Sequence, residues 1–390
     1  MNLEKFKREA KDFVEASCPT SMRRGVVHFE DIFEIYETPD AKSWRDAMAS
    51  RGWTAPTWPA EYGGGGLSHE FSQALAAEMA AIRAVPPEFG PGIVLVGPTL
   101  LEFGTETQRQ RHIPKIVSGE FRWCQGYSEP GAGSDLASLQ CKAVLEGDHF
   151  VINGQKIWTS RSEYSDLMIL LCRTTPQDKT QKKTDGLSVL LVDMREARDK
   201  TLTIRPIRTM MNHATTEIFF DDMRVPAHHL IGEEGKGFRY ILSGMNAERI
   251  LIAAECIGDA KWFIEKATAY AAERSVFGRP IGQNQGVQFP IARAYAQMRA
   301  AELVLREAIQ LYDAGENPGE EANLAKMLAA EASWAAAEMC VQTHGGFGFA
   351  EEYDVERKFR ETRLYQVAPI STNLILSYVG EHVLGLPRSY

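Results

Sequence analysis

Apolar and polar positions along this chain follow two different rhythms, and the rhythm changes twice. Up to about residue 120 it is helical, interrupted by Gly and Pro. Phe6, Ala10, Phe13 and Val14 share one face at helical spacing, so the first segment predicts an amphipathic helix. Trp53 to Gly66 holds Pro56, Pro59 and four successive glycines, which predict a loop. Leu67 to Arg83 and Thr105 to Val117 predict helices. Pro86 to Pro98, with Gly90, Gly92 and Gly97 inside it, predicts a break between them.

From about 121 to 230 the apolar runs shorten to strand length. His149 to Ile152 is followed by Asn153-Gly154, which predicts a hairpin-type turn. Leu167 to Leu171, Leu187 to Val192, Leu202 to Pro206 and Glu217 to Phe220 predict further strands. The polar, Lys-rich stretch Thr174 to Asp185 predicts an exposed loop. Together they predict a β-barrel or sandwich. Beyond Gly237 the helical period returns. Ala247 to Glu273 predicts a long helix, and Val287, Ile291, Ala294, Met298, Leu305, Ile309 and Tyr312 form the stripe of a second. Ala-rich Glu320 to Val341 and Thr372 to Val383 predict two more. Long helices with short connections imply an antiparallel bundle. The fold class is therefore α+β and multidomain: a helical domain over 1–120, a β-domain over 121–232 and a helical bundle over 233–390.

Composition narrows the function. The 390 residues exceed what one hydrophobic core usually spans. A formal net charge of −9 argues against a nucleic-acid partner, which needs a basic face. No apolar run approaches the roughly 20 residues of a membrane span. The N-terminal segment lacks the character of a signal or transit peptide. The six cysteines and nine histidines show no metal-ligand spacing, so no metal is expected. Scattered thiols read as buried and reduced, in a cytoplasmic protein.

Five places could carry chemistry, one of them Arg274 with Phe277-Gly278 at the end of the Ala247 helix, where a cation equally suits the helix dipole. Tyr127-Ser128-Glu129-Pro130-Gly131-Ala132-Gly133-Ser134-Asp135 is rich in Gly and small hydroxyls, so its backbone N–H groups could approach an anion; it is equally a good surface turn. Trp158-Thr159-Ser160 sets an aromatic plate beside two hydroxyls, or is simply a core Trp at a strand end. Gln342 to Phe349 carries more glycines than a helix C-cap needs. Glu248, beside Arg249 and just after Asn246, is either a functional carboxylate or a first-turn Glu behind an N-cap.

In order along the chain, YSEPGAGSD (127–135), INGQKIWTS (152–160), EIFFDDMRVP (217–226), NAERILIAAECIGDA (246–260), ERSVFGRPI (273–281), QTHGGFGF (342–349) and VLGLPR (383–388) resemble the acyl-CoA dehydrogenase family. The resemblance covers essentially the whole chain. It implies a helical domain, a β-domain and an antiparallel four-helix bundle, usually in a homotetramer with FAD at a subunit interface. It implies that Gln125, Gly126, Tyr127 and Ser128, with Trp158, Thr159 and Ser160, hold the flavin, and that Ser134 contacts flavin or CoA. Arg274, Phe277, Asn284 and Gln285 would reach a neighbouring subunit's FAD. Gln342, Thr343, His344, Gly345 and Gly346 would hold its adenosine side, and Ser371 and Asn373 would make the last contacts. Asn246, Arg249 and Ile370 would face the substrate. The implied reaction is α,β-dehydrogenation of an acyl-CoA, with an electron-transferring flavoprotein as acceptor.

The chain departs from the family at the base. Most members carry it in a Glu-Gly-Thr triplet, which here is Pro369-Ile370-Ser371. A minority, including isovaleryl- and long-chain acyl-CoA dehydrogenases, place it where Glu248 stands, and Glu248 is the expected catalytic residue. Pro369 also lacks the N–H that the family offers to the thioester oxygen. A flavin monooxygenase or nitroalkane-oxidase relative, and a non-catalytic subunit of a hetero-oligomer, are the alternatives.

Overall fold

The structure is a computed structural model, and it describes residues 2–25, 32–211 and 214–388. The chain divides into two compact units, 1–242 and 243–390. The first begins with helices α1 (Leu3–Ser17), α2 (Ile32–Tyr36), α3 (Pro39–Ala49), α4 (His69–Ala81), α5 (Gly97–Phe103) and α6 (Glu106–Val117). Asn2 caps α1 and Thr38 caps α3, and Thr105 with Gln108 closes a capping box on α6. Phe6, Ala10 and Val14 face inward from α1, as their spacing predicts.

Strands β1 (Trp123–Gly126), β2 (Lys142–Glu146), β3 (His149–Ser160), β4 (Leu167–Arg173), β5 (Leu187–Asp193), β6 (Leu202–Pro206), β7 (Thr215–Pro226) and β8 (Leu230–Ile231) follow. They form one sheet in the order β6-β7-β3-β2-β4-β5-β8, with β1 added parallel to β4. All seven residues of β4 are buried because both faces of the sheet are covered. Leu167, Ile169 and Leu171 pack with Leu95, Val96, Leu100, Ile113 and Ile116 of the helices. Met168, Leu170 and Cys172 pack on the opposite face with Phe150, Ile152, Ile218 and Phe220. The period of two thus separates two cores.

Two sequence expectations fail here. Asn153-Gly154 is no hairpin turn: β3 runs through it and pairs with β7 along its length, with a register shift between Ile152 and Gly154. Gly154 has φ of 145°, and a Cβ there would lie 2.7 Å from Cys141 Cα, so close backbone approach demands the glycine. The break predicted over Pro86 to Pro98 is also partly helical. A π-turn over Gly92–Val96 runs directly into α5. Gly97 is needed for packing, since a Cβ on it would stand 1.9 Å from the Trp58 ring.

The second unit holds most of α7 (Gly237–Glu273), the short strands β9 (Ser275–Val276) and β10 (Arg279–Pro280), and helices α8 (Gln285–Asp313), α9 (Gly319–His344), α10 (Val355–Thr362) and α11 (Thr372–Tyr378). Alanines 253, 260, 267, 294, 301, 325, 329, 332 and 336 line its core, so the long helices pack at close range. No helix of the described residues is long and apolar enough to cross a membrane.

Gly97→Ala should cost about 1–3 kcal/mol of stability, because the enclosed Trp58 ring has to shift to admit a methyl group. Urea unfolding measures it.

Candidate active site

In the first unit the site grows out of a gap in the sheet. β1 and β2 both pair with β4, β1 along Trp123–Gly126 and β2 only at Lys142. The chain between them, 127–141, fills the interval. Tyr127 and Ser128 pass beside β3, where Ile157 N–H donates to Ser128 O at 3.0 Å. Glu129 and Ala132 then exchange backbone hydrogen bonds across Pro130-Gly131.

Lys156 anchors this turn from β3. Its side chain is fully buried, and Nζ donates to Tyr127 O and to Glu129 Oε1, each at 2.8 Å. The Glu129 carboxylate also accepts from Gln140 N at 2.6 Å and Cys141 N at 2.8 Å. Both ends of the turn are therefore tied to one buried ion pair. Arg173 secures the following segment by donating to Ala137 O at 2.8 Å and Leu139 O at 3.2 Å. Asp135 is exposed and accepts from Ser138 Oγ and Lys183 Nζ; these bonds, Ser138's first, hold its carboxyl below the usual range. Gly126 packs against Met168, whereas Gly131 and Gly133 have open space where a Cβ would sit. Gln125 and Ser128 are half-buried, Tyr127 is buried and Ser134 is exposed.

Trp158 is not the core Trp that its residue type suggests. It stands in a left-handed conformation, φ 62°, where the β3–β7 register shifts, and it is 59% exposed. A bulky side chain in that region is strained, and such strain marks functional positions. The same irregularity turns Thr159 inward. Its Oγ1 is buried and has no hydrogen-bond partner among the described residues, while its carbonyl accepts from Thr216 Oγ1 at 2.8 Å.

In the second unit, α7 begins ten residues before Ala247. Asn246 is therefore no N-cap and Glu248 no first-turn residue; both lie inside a helix. Asn246 Oδ1 accepts from Arg249 Nη1 at 2.7 Å, and Arg249 Nε is buried with no partner among the described residues. Burial raises the Glu248 carboxyl above its ordinary pKa, against a smaller downward pull from Arg249. Desolvation lowers Arg249 in turn.

Between β9 and β10, Phe277 and Gly278 form a tight turn with φ of 54° and 80°, and the Phe277 ring is fully exposed. Arg274 sits over the Phe347 ring, which brings that hairpin to the loop after α9. Asn284 joins Arg279 and Ile281 at the start of α8, and Gln285 is exposed beside it. In the 342–346 group, Gly345 and Gly346 have open space at their Cβ positions and Gln342 is exposed. Thr343 Oγ1 instead donates to Met339 O. His344 is buried and stacked on Tyr270, and burial lowers its pKa. Ser371 caps α11 through Leu374 N, Ile370 is half-buried and Asn373 exposed.

The FAD implied by the resemblance is tested by these features. Within the first unit, the Thr159 hydroxyl, which has no partner among the described residues, the presented Trp158 ring and the open glycines at 131 and 133 fit a flavin nucleotide. Lys156 and Glu129 stand inside two of the motifs that carry the resemblance, and nothing local marks them as an ion pair. A lone Lys inside the strand-length motif INGQKIWTS is the available signal.

Lys156→Met should cost about 3 kcal/mol, because Glu129 keeps its charge in the interior and loses its cation. Adding Glu129→Gln should restore part of that loss in urea unfolding.

Comparison with known proteins agrees with these features. The family models described as acyl-CoA dehydrogenase N-terminal, middle and C-terminal domains match residues 2–120, 124–223 and 235–384. Acyl-CoA dehydrogenase FadE12 of Mycobacterium bovis is 33% identical over 349 residues, 89% of each chain. A solved acyl-CoA dehydrogenase from Geobacillus kaustophilus has a TM-score of 0.81 at 27% identity, covering 98% of this chain and 97% of that one. The ChsE4–ChsE5 complex from Mycobacterium tuberculosis matches with a TM-score of 0.80 at 28% identity, covering 99% and 98%. The chain belongs to the acyl-CoA dehydrogenase family, and it is an FAD-dependent enzyme that dehydrogenates an acyl-CoA thioester.

Proposed function

We propose that Glu248 is the base that removes the α-proton, with Asn246, Arg249, Ile370 and Ser134 contacting the acyl-CoA. The supporting observation is a carboxylate inside α7 whose basicity is raised by burial, in a chain with no carboxylate at 369–371. A thioester makes its α-proton only weakly acidic, so the base gains by being desolvated. Arg249 opposes that rise and favours the ionised form of Glu248. Bound FAD supplies the acceptor for the β-hydrogen as hydride. Gln125 to Ser128 and Trp158 to Ser160 are assigned to the flavin. Arg274, Phe277, Asn284, Gln285, Gln342 to Gly346, Ser371 and Asn373 are assigned to the rest of the cofactor.

The working form in this reading is a homotetramer in the cytoplasm that passes electrons to an electron-transferring flavoprotein. The exposed rings of Phe277, Phe289, Tyr295 and Phe349 on the second unit support oligomerisation, and six buried free thiols support a reducing compartment. A hetero-oligomer is the second reading, favoured by the likeness to one chain of a two-protein complex and by Pro369.

Anaerobic addition of a panel of acyl-CoAs should bleach the flavin absorbance with at least one member. Glu248→Gln should slow that bleaching by at least about 100-fold; an unaffected rate removes Glu248 as the base. The base works ionised, and its pKa is raised. The wild-type kcat/KM should therefore fall as pH drops through an acid limb lying above the usual glutamate value of about 4.3. For oligomeric state, the chain expressed alone should elute as an FAD-loaded tetramer. FAD retained only with a co-expressed second chain would establish the hetero-oligomer instead.

A further inference from the structure

Lys326, on α9, is fully buried. Its Nζ donates to two backbone carbonyls, Tyr365 O at 2.5 Å and Ile370 O at 2.6 Å. No carboxylate pairs with it among the described residues. Burial, helped by the like charge of Arg249 and opposed by Cys256, pulls its pKa down to about 8. A buried ammonium held by carbonyl dipoles alone is costly, and such groups persist where they hold something in place.

What it holds is the segment carrying Pro369-Ile370-Ser371. Between Tyr365 and Ile370 the backbone has little support of its own. Val367 and Ala368 N–H both turn back to Leu364 O, at 2.9 and 3.0 Å, and Pro369 has no N–H. Lys326 ties both ends of this stretch to α9 through a single nitrogen. The carbonyl of Ile370 and the N–H of Ser371 belong to one peptide unit. A cation on the oxygen withdraws electron density through the amide and strengthens its N–H as a donor. That Ser371 N–H has no acceptor among the described residues.

We propose that Lys326 is a positioning residue for the dehydrogenation: it fixes and polarises the Ile370–Ser371 peptide so that the Ser371 N–H serves the thioester oxygen, in a chain where Pro369 cannot. The inference rests on the reading that 369–371 faces the thioester. As the α-proton leaves, negative charge grows on that oxygen, and a fixed, polarised donor stabilises it more than it stabilises the ground state.

The full chain with FAD is compared as wild type, Lys326→Met and Lys326→Gln. FAD content, kcat and KM are measured with the acyl-CoA that bleaches wild-type flavin fastest. The expected result is unchanged FAD content and KM within about threefold, with kcat reduced about 10- to 100-fold in Lys326→Met. Lys326→Gln, which keeps an N–H donor but not the charge, should recover part of kcat. Wild-type kcat in Lys326→Met overturns the inference alone. A loss that appears in KM, a loss that follows FAD content, or failure of both variants to hold FAD also overturns it, since Lys326 is then a packing residue. A wild-type flavin that no acyl-CoA bleaches overturns the Glu248 reading and this inference with it.

Discussion

An ammonium group taken out of water must receive all its hydrogen bonds from the protein, and this chain uses that requirement to fasten loops. Lys156 is tied to Tyr127 O and the Glu129 carboxylate, and Lys326 to Tyr365 O and Ile370 O. In each case a lysine on a regular element reaches an irregular segment outside the α-helices and the sheet. The penalty for leaving a buried cation unsatisfied discourages the loop from moving away. Position is thus enforced on the segments from which chemistry is expected, while the rigid strand and helix supply the reference frame.

The two lysines differ in how their charge is balanced. Lys156 faces a carboxylate that two backbone N–H groups also hold, so the pair is internally compensated. Lys326 has only dipoles, and its pKa is depressed accordingly. A compensated pair suits a turn that must simply be held. An uncompensated cation also polarises what it touches, which suits a peptide unit near developing negative charge. The departures at 369 and 248 fit together in the same way. A proline at the usual base position removes a carboxylate and an amide N–H at once; in the proposed reading Glu248 replaces the first and the Ser371 N–H the second.

Local backbone geometry does comparable work elsewhere. The irregular pairing near the end of β3 throws Trp158 outward and Thr159 inward. At Gly97 and Gly154 the missing Cβ permits contact with Trp58 and Cys141. These glycines sit within continuing elements, and their role is close approach.

Much of the architecture was legible in the chain because periodicity reflects burial. The stripe from Val287 to Tyr312 became α8, the run from Leu167 became β4 with both faces covered, and Glu320 to Val341 became the Ala-lined α9. The ordered motifs carried the family and FAD, since motif order survives where individual turns are ambiguous. Local chemistry misled wherever the cause was distant in sequence. Asn153-Gly154 has the composition of a hairpin, but pairing with β7 carried the strand through it. Asn246 resembles a cap, but the helix had begun at Gly237. The sequence by itself determined the order of helical and β segments and which residue types stand at each motif, because these depend on neighbours a few positions apart. Tertiary structure alone decided that Trp158 faces out, that Glu248 lies inside a helix with raised basicity, and that Lys156 and Lys326 are buried anchors. The partners of the two lysines stand 27 to 44 positions away along the chain, and no local pattern encodes which carbonyl a lysine will meet.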